Sequence, residues 1–175
     1  MRKPYAIDID SRASALLRKF DLLKAPVNVE AVAERLGATV IFDELEDDVS
    51  GFLLREKKVS TIAVNERHHP NRQRFTIAHE CGHLHLHADR GDRLWLDKTQ
   101  TTIFYRDAGS STGDQQAEIE ANQFAAGLLM PEELLLEHVG DEISDVDIFR
   151  LALRFQVSEQ AMTLRLGSLN VLERV

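Results

Sequence analysis

The chain has 175 residues, 43% of them hydrophobic, which suffices for one domain with a sizeable core or for a domain with an appendage. The net charge of −8 disfavours a nonspecific grip on nucleic-acid phosphates and argues against direct DNA binding. The single cysteine cannot form an internal disulfide, and we find no secretory signal and no apolar stretch of membrane length, so we expect a cytoplasmic protein without a membrane partner.

The first part of the chain predicts two helices followed by three strands. Apolar residues recur at helical spacing over residues 11–23 and again over 26–36. The apolar run 39–42 predicts a strand. Residues 51–55 and 59–65 predict an antiparallel hairpin, because a three-residue polar turn separates two strand-like runs.

The next predicted helix carries a metal-binding motif. Residues 79–83 read HECGH, which places His79 and His83 on one helical face, where both imidazoles can reach a single ion. Glu80 follows the first histidine, so its carboxylate turns toward the substrate side of the metal and can act as a base. Pro70 fits the first turn of this helix. The helix has an apolar side made of Phe75, Ala78, Gly82 and Leu86.

A catalytic zinc usually has three protein ligands and a water, so a third ligand is needed. His87 shares a face with both histidines, but eight helical residues rise about 12 Å, which is too far for one ion. We therefore expect His87 to be the exposed end of the helix. In another known pattern a glycine at position 86 delivers a histidine at position 89, and this chain has Leu86 and Asp89 there.

The better third ligand lies in the segment 118–131, EIEANQFAAGLLMP. Glu118 borders an apolar helical stripe one turn before Asn122, so its carboxylate can point into the protein, and we assign it as the ligand. Glu120 projects to nearly the opposite side and is assigned as a solvated surface charge. We expect Asn122 to hydrogen-bond a ligand histidine and to fix its tautomer. Without His79 and His83, the segment would be interpreted as an amphipathic core helix with two incidental glutamates.

Helical periodicity is lost between these two helices. Residues 101–105 predict a short strand beside the cleft, and the polar run 107–114 predicts a loop over the site.

The last third of the chain predicts two helices around residues 156–158, with Ser158 as the N-cap of the second. The pair is similar to a helix-turn-helix, in which residues 159–166 would be the second helix. That helix offers Arg165 to a phosphate, but Glu159 at its N-terminus disfavours such a contact. A helical hairpin that packs on the core or docks a partner is the favoured interpretation.

Residues 72–83 (RQRFTIAHECGH) and 118–131 together resemble the ImmA/IrrE family of metallo-endopeptidases. The resemblance is specific because two separated blocks agree in order and in residue type, and it is strongest over residues 25–135. Two positions carry further information. Asn122 stands where related zincins often have an acidic residue, as is common in this family. Cys81 replaces the usual aliphatic residue, and we interpret it as a small buried hydrophobe.

The resemblance implies an α+β, zincin-like fold with a small antiparallel or mixed sheet packed on the HExxH helix. We expect a metallopeptidase domain over residues 1–137 and a C-terminal helical subdomain over 138–175. Since zincins commonly present a free strand edge beside the site, residues 59–65 are our candidate for an edge to which an extended peptide could pair.

The implied cofactor is zinc, with manganese as the alternative metal. The implied chemistry is peptide hydrolysis, in which Glu80 takes the proton of the attacking water and passes it to the leaving amine. Tyr105 or Arg106 could stabilise the oxyanion. In the alternative interpretation, Tyr105 is a half-buried strand aromatic and Arg106 pairs with a surface carboxylate.

Two functional hypotheses follow. The first, implied by the resemblance, is a zinc endopeptidase that cleaves a helix-turn-helix (XRE-like) repressor and so switches on the genes it holds off. The second is a regulatory protein that binds a transcription factor or DNA on the same scaffold without cutting. Intact His79, Glu80, His83 and Glu118 favour the enzyme, because a binding module has no need of a general base.

Overall fold

Local capping signals mark where several helices begin. The side chain of Asn28 accepts a hydrogen bond from the backbone amide of Ala31, and Ser158 accepts one from that of Ala161. Pro70 occupies the first turn of the HExxH helix, where its missing N–H leaves no hydrogen bond unmade. The starts at Pro70 and after Ser158 agree with the sequence prediction.

The computed structural model describes residues 4–57, 59–87, 93–98, 113–140 and 143–172. Within these ranges the fold is α+β, as predicted. The elements in chain order are α1 (Pro4–Phe20), α2 (Val29–Arg35), β1 (Ala38–Asp43), β2 (Val49–Glu56), β3 (Val59–Asn65), α3 (Pro70–Leu86), β4 (Arg93–Lys98), α4 (Gly113–Leu129), α5 (Glu132–Leu136), α6 (Asp145–Phe155) and α7 (Glu159–Ser168).

Some predicted boundaries are wrong. Helix α1 begins earlier than the predicted span of 11–23 and ends at Phe20. It ends there because Asp21 adopts a left-handed conformation with φ of 58°, which lets the amide of Leu22 reach the carbonyl of Leu17 at 2.9 Å. Helix α2 is shorter than predicted, and α4 already begins at Gly113, inside the predicted loop.

The four described strands form one mixed sheet in the order β1-β3-β2-β4. Strands β2 and β3 are the predicted antiparallel hairpin, with Glu56 opposite Val59. Strand β1 runs parallel to β3, and β4 runs antiparallel to β2. The sheet thus carries the hairpin in its centre, with β1 and β4 outside it.

The prediction that residues 59–65 form a free edge is wrong, because β3 is hydrogen-bonded on both sides. Its consecutive residues Ile62, Ala63 and Val64 are all buried. Such an unbroken apolar run is typical of a strand that is covered on both faces, whereas a half-exposed strand alternates apolar and polar residues. That run was the sequence signal for an interior position.

Helix α3 is buried along most of its length, since Thr76 to Leu84 are all shielded from solvent. It lies between the sheet, where it contacts β2 and β3, and helix α4. Helix α4 also packs on α1. A β-carbon at Gly127 would lie 2.5 Å from Oδ1 of Asp10, so glycine is what allows α1 to approach this closely. The HExxH motif therefore sits inside the fold, on a helix that packs against both the sheet and α4.

Helices α6 and α7 form the predicted C-terminal hairpin, and they are anchored to the rest of the chain by Arg165. This side chain is buried and contacts both carboxylate oxygens of Asp10, at 2.9 and 3.0 Å, and the carbonyl oxygen of Met130 at 3.0 Å. Buried residues from α1 through α7 belong to one apolar cluster. The division into a domain of residues 1–137 and a subdomain of residues 138–175 remains a prediction.

Among the described helices, none combines the length and the apolarity that crossing a bilayer requires.

Candidate metal centre

Helix α3 brings the two motif histidines together. Being one turn apart, His79 and His83 project from the same face, and their Nε2 atoms lie 3.0 Å from each other. Their rings meet edge to face, with centroids 4.7 Å apart, and both are buried. The protein therefore shields both imidazoles from solvent.

Helix α4 supplies the third polar group. The carboxylate of Glu118 places Oε2 3.2 Å from His79 Nε2 and Oε1 3.3 Å from His83 Nε2. The Glu118 side chain is 30% exposed, whereas the two histidine side chains are only 4% and 1% exposed. The cluster thus opens to solvent on the side of the carboxylate.

These three residues fit a zinc ion. Ligand atoms about 2.0–2.2 Å from a tetrahedral zinc lie about 3.3–3.6 Å from one another, and the three separations here come within a few tenths of an ångström of that range. Two imidazoles and a carboxylate are also a donor set found in catalytic zinc sites. Among the described residues, His79, His83 and Glu118 form a group that could hold a metal ion.

Asn122 lies one turn after Glu118 and contacts the other nitrogen of His79. Its Oδ1 is 2.9 Å from His79 Nδ1, so Nδ1–H donates and Asn122 accepts. A proton on Nδ1 leaves the lone pair of Nε2 directed at His83 and Glu118. The Asn122 side chain therefore fixes the tautomer that a metal ligand needs.

The electrostatics favour the metal-binding protonation states at neutral pH. Burial lowers the pKa of His83 to about 4, against the opposing effect of Glu118, so this imidazole is neutral. Burial alone would raise the pKa of Glu118, but its close contacts with the Nε2 atoms of His79 and His83 outweigh burial and hold that pKa below the ordinary value. The cluster thus offers a neutral imidazole and an ionised carboxylate.

Glu80 follows His79 on α3 and is fully buried, outside the three-residue cluster. Cys81 is buried as well, and burial raises the pKa of its thiol well above the ordinary value, with the Glu80 charge acting in the same direction. Cys81 is therefore a small core residue without thiolate character.

Two side chains next to the cluster differ from the sequence prediction. His87 is 7% exposed, so the prediction of an exposed helix end is wrong. Glu120 was predicted to be a solvated surface charge, but its side chain is 18% exposed and one carboxylate oxygen lies 3.6 Å from His87 Nε2. The physical reason is that α4 packs against the last turn of α3, which covers both residues.

The sequence prediction did not include this contact, because His87 was considered only as a metal ligand. A signal was present: His87 lies at helical spacing from His83, so it continues the face that carries the motif histidines. Tyr105, Arg106 and the predicted strand 101–105 lie outside the described residues.

Comparison with known proteins shows the family of the chain and a solved structure with the same fold. The family description Peptidase_M78, the IrrE N-terminal-like domain, matches residues 33–167. A protein of Bacillus phage phi105 called "Uncharacterized immunity region protein 2" is 24% identical over 147 residues, which is 84% of this chain and 83% of that protein.

A solved structure described as a Mycobacterium tuberculosis transcriptional regulator shares the fold, with a TM-score of 0.63 at 19% identity. The match covers 91% of this chain and 47% of the other, so the chain spans about half the length of that solved relative. Because the family match extends over most of the chain, including both histidines and Glu118, the chain belongs to the Peptidase_M78 family of IrrE N-terminal-like domains.

Proposed function

We propose that this chain is a zinc-dependent endopeptidase that cleaves a helix-turn-helix transcriptional repressor and thereby derepresses its genes. The observation that carries the proposal is the convergence of His79, His83 and Glu118 at separations suited to one zinc ion, on a helix that also holds Glu80. Manganese is the alternative metal.

In this proposal His79, His83 and Glu118 hold the ion, and Asn122 keeps His79 in the required tautomer. A bound zinc ion lowers the pKa of water and polarises the scissile carbonyl. Glu80 takes the proton of the attacking water and gives it to the amine of the departing peptide. Burial of Glu80 excludes bulk water from its carboxylate, which keeps that proton available for transfer.

A basic DNA-binding protein is the substrate class that the charge of the chain supports. With a net charge of −8, the protein attracts a basic partner over distances of about a Debye length. The names of the two relatives, an immunity region protein and a transcriptional regulator, support a place in repressor control. Tyr105 and Arg106 remain proposed contacts to the oxyanion or the substrate.

The proposal can be tested with the purified chain and any helix-turn-helix repressor that is encoded next to its gene. The chain is stripped with a chelator, reloaded with zinc or manganese, and incubated with the repressor, and the products are measured by mass spectrometry. We expect one defined cleavage that depends on added metal. An intact repressor in every metal-loaded sample would contradict the proposal for this substrate.

The alternative is a regulator that binds DNA or a transcription factor without cutting. The hairpin of α6 and α7 is the observation in its favour, because two helices joined by a tight turn are the framework of a helix-turn-helix. The burial of Arg165 argues against a DNA-reading role for α7, since that guanidinium faces Asp10 in the protein. We therefore favour the enzyme.

A further inference from the structure

His87 links the two helices that carry the metal cluster. Its backbone amide donates to the carbonyl oxygen of His83 at 3.0 Å, which joins it to the last turn of α3. Its ring nitrogen Nε2 lies 3.3 Å from the carbonyl oxygen of Ala117, the residue immediately before Glu118. His87 therefore connects the backbone of His83 to the backbone immediately before Glu118.

Glu120 reinforces this link from the other side of Glu118. Its Oε2 lies 3.6 Å from His87 Nε2, and its Oε1 accepts a hydrogen bond from Gln116 Nε2 at 3.0 Å. A carbonyl and a carboxylate on the same side of the ring require a proton on Nε2. That proton makes His87 a donor to α4 and unsuited to bind the same metal through Nε2.

The contacts between α3 and α4 form an antiparallel series. The two helices approach closely at Gly82 and Ala121, where a β-carbon on Gly82 would lie 3.0 Å from the Cα of Ala121. Glu118 lies about 4.5 Å along the helix axis from that point, and Ala117 lies about 6 Å from it. A small pivot of α4 about the Ala121 contact would carry Glu118 away from His83, and the His87 bond to Ala117 opposes such a pivot at its outer end.

We propose that His87 is a positioning residue, which holds Glu118 at the distance from His83 that metal binding needs. The inference rests on the proposed metal site. Metal sites tolerate ligand distances within about 0.2 Å, so a loosened α4 should weaken binding even if the fold is unchanged. Removing residues that orient metal ligands typically costs about 10–100-fold in affinity.

The test compares the zinc affinity of full-length variants by competition with a chelator, together with the urea midpoint of each metal-free protein. His87→Gln keeps an N–H donor near the position of Nε2, whereas His87→Asn is one methylene too short to reach Ala117. We expect His87→Asn to lose about 10–100-fold in zinc affinity and His87→Gln to stay close to the wild type, at similar urea midpoints.

His85 provides the matched control. It lies in the last turn of α3, two residues before His87, and packs on Phe124 with ring centroids 5.4 Å apart. His85→Asn should leave zinc affinity unchanged. Equal zinc affinity of His87→Asn and His87→Gln would overturn the inference and leave the metal site standing. Failure of the wild type to bind zinc would instead contradict the metal site itself, and the inference with it.

A measurement on the wild type keeps the inference testable if a variant does not fold. Long-range nitrogen NMR reports which ring nitrogen of His87 carries a proton. We expect the proton on Nε2, where it can reach Ala117 and Glu120. An Nε2 without a proton in the folded metal-free protein would overturn the inference.

Discussion

Gly82 of α3 faces Ala121 of α4 so closely that a β-carbon at residue 82 would lie 3.0 Å from the Cα of Ala121 and 3.1 Å from its carbonyl oxygen. Both of these are backbone atoms, which cannot rotate away. Because Glu118 is carried by the same helix as Ala121, this contact sets how near the carboxylate comes to the histidines. The close approach of the two helices is therefore a condition of the proposed metal site.

The first prediction concerns this contact. Gly82→Ala should push α4 outward by a few tenths of an ångström and lower zinc affinity about tenfold or more, as expected when a metal ligand is displaced. The gain in helix propensity, about 0.5–1 kcal/mol, should offset much of the strain in the metal-free protein. Zinc affinity and the urea midpoint are measured on the same preparation.

Gly167→Ala is the control for that substitution. Gly167 lies in α7, where the nearest atom to an added β-carbon is a Leu172 methyl group at 3.9 Å, an ordinary contact. This variant should gain up to about 1 kcal/mol of stability without any change in zinc affinity. Unchanged zinc binding by Gly82→Ala would show that the helix spacing is not critical to the cluster.

The second prediction separates two glutamates that lie two positions apart on α4. Glu118→Ala should abolish measurable zinc binding, because a ligand is lost. Glu120→Ala removes only the charge beside His87, so its loss should be much smaller and no greater than about tenfold. Equilibrium dialysis with zinc measures both. A larger loss for Glu120→Ala than for Glu118→Ala would mean that the wrong glutamate has been assigned.

The third prediction is a pH dependence of stability. In the unfolded chain His83 takes up a proton near its ordinary pKa of about 6.5, whereas burial keeps it neutral in the folded protein until the pH falls to about 4. The unfolded state therefore binds more protons in this interval. The contribution of His83 to the free energy of unfolding should be complete above pH 6.5. The free energy of unfolding should then fall by up to about 3 kcal/mol as the pH is lowered to 4.

Urea titrations of chelator-treated protein between pH 7 and 5 measure this effect. Burial also lowers the pKa of His85, which acts in the same direction. NMR titration of the individual imidazoles separates the two contributions. A His83 resonance that titrates near pH 6.5 in the folded protein would contradict the assignment.

The features that could be predicted from the sequence are those that neighbouring residues determine. Pro70 and Ser158 act within a few residues of themselves, so their helix starts follow from local rules. The spacing of His79 and His83 and the phase of Glu118 follow from the helical repeat. In each of these cases, the prediction needed only the geometry of one helix.

Features that depend on packing between distant segments could not be predicted in the same way. The position of β3 between β1 and β2 depends on a crossover that brings β1 alongside it. The link from His87 to Ala117 joins residues 30 positions apart in sequence. The rise of a single helix argued against His87 as a third ligand beside His79 and His83, but it carried no information about α4.

The fourth prediction concerns DNA. Arg165 is buried against Asp10, and Glu159 is exposed at the start of α7, so few phosphates could be neutralised by that helix. DNA binding by this chain alone should be weak and should disappear between about 50 and 200 mM salt. Fluorescence anisotropy with duplex DNA at increasing salt is the measurement. Tight, sequence-specific binding would make the regulator the leading hypothesis.

The proposed role of Glu80 gives the most direct test of the enzyme. Glu80→Gln keeps His79, His83 and Glu118 and removes only the carboxylate that is proposed to transfer the proton. The variant should therefore keep its metal but lose cleavage. Zinc content and cleavage of the candidate repressor are measured on the same samples of wild type and variant. We expect equal zinc content, cleavage by the wild type, and a loss of cleavage in the variant of at least about 100-fold. Cleavage by Glu80→Gln at the wild-type rate, with zinc bound, would contradict the account.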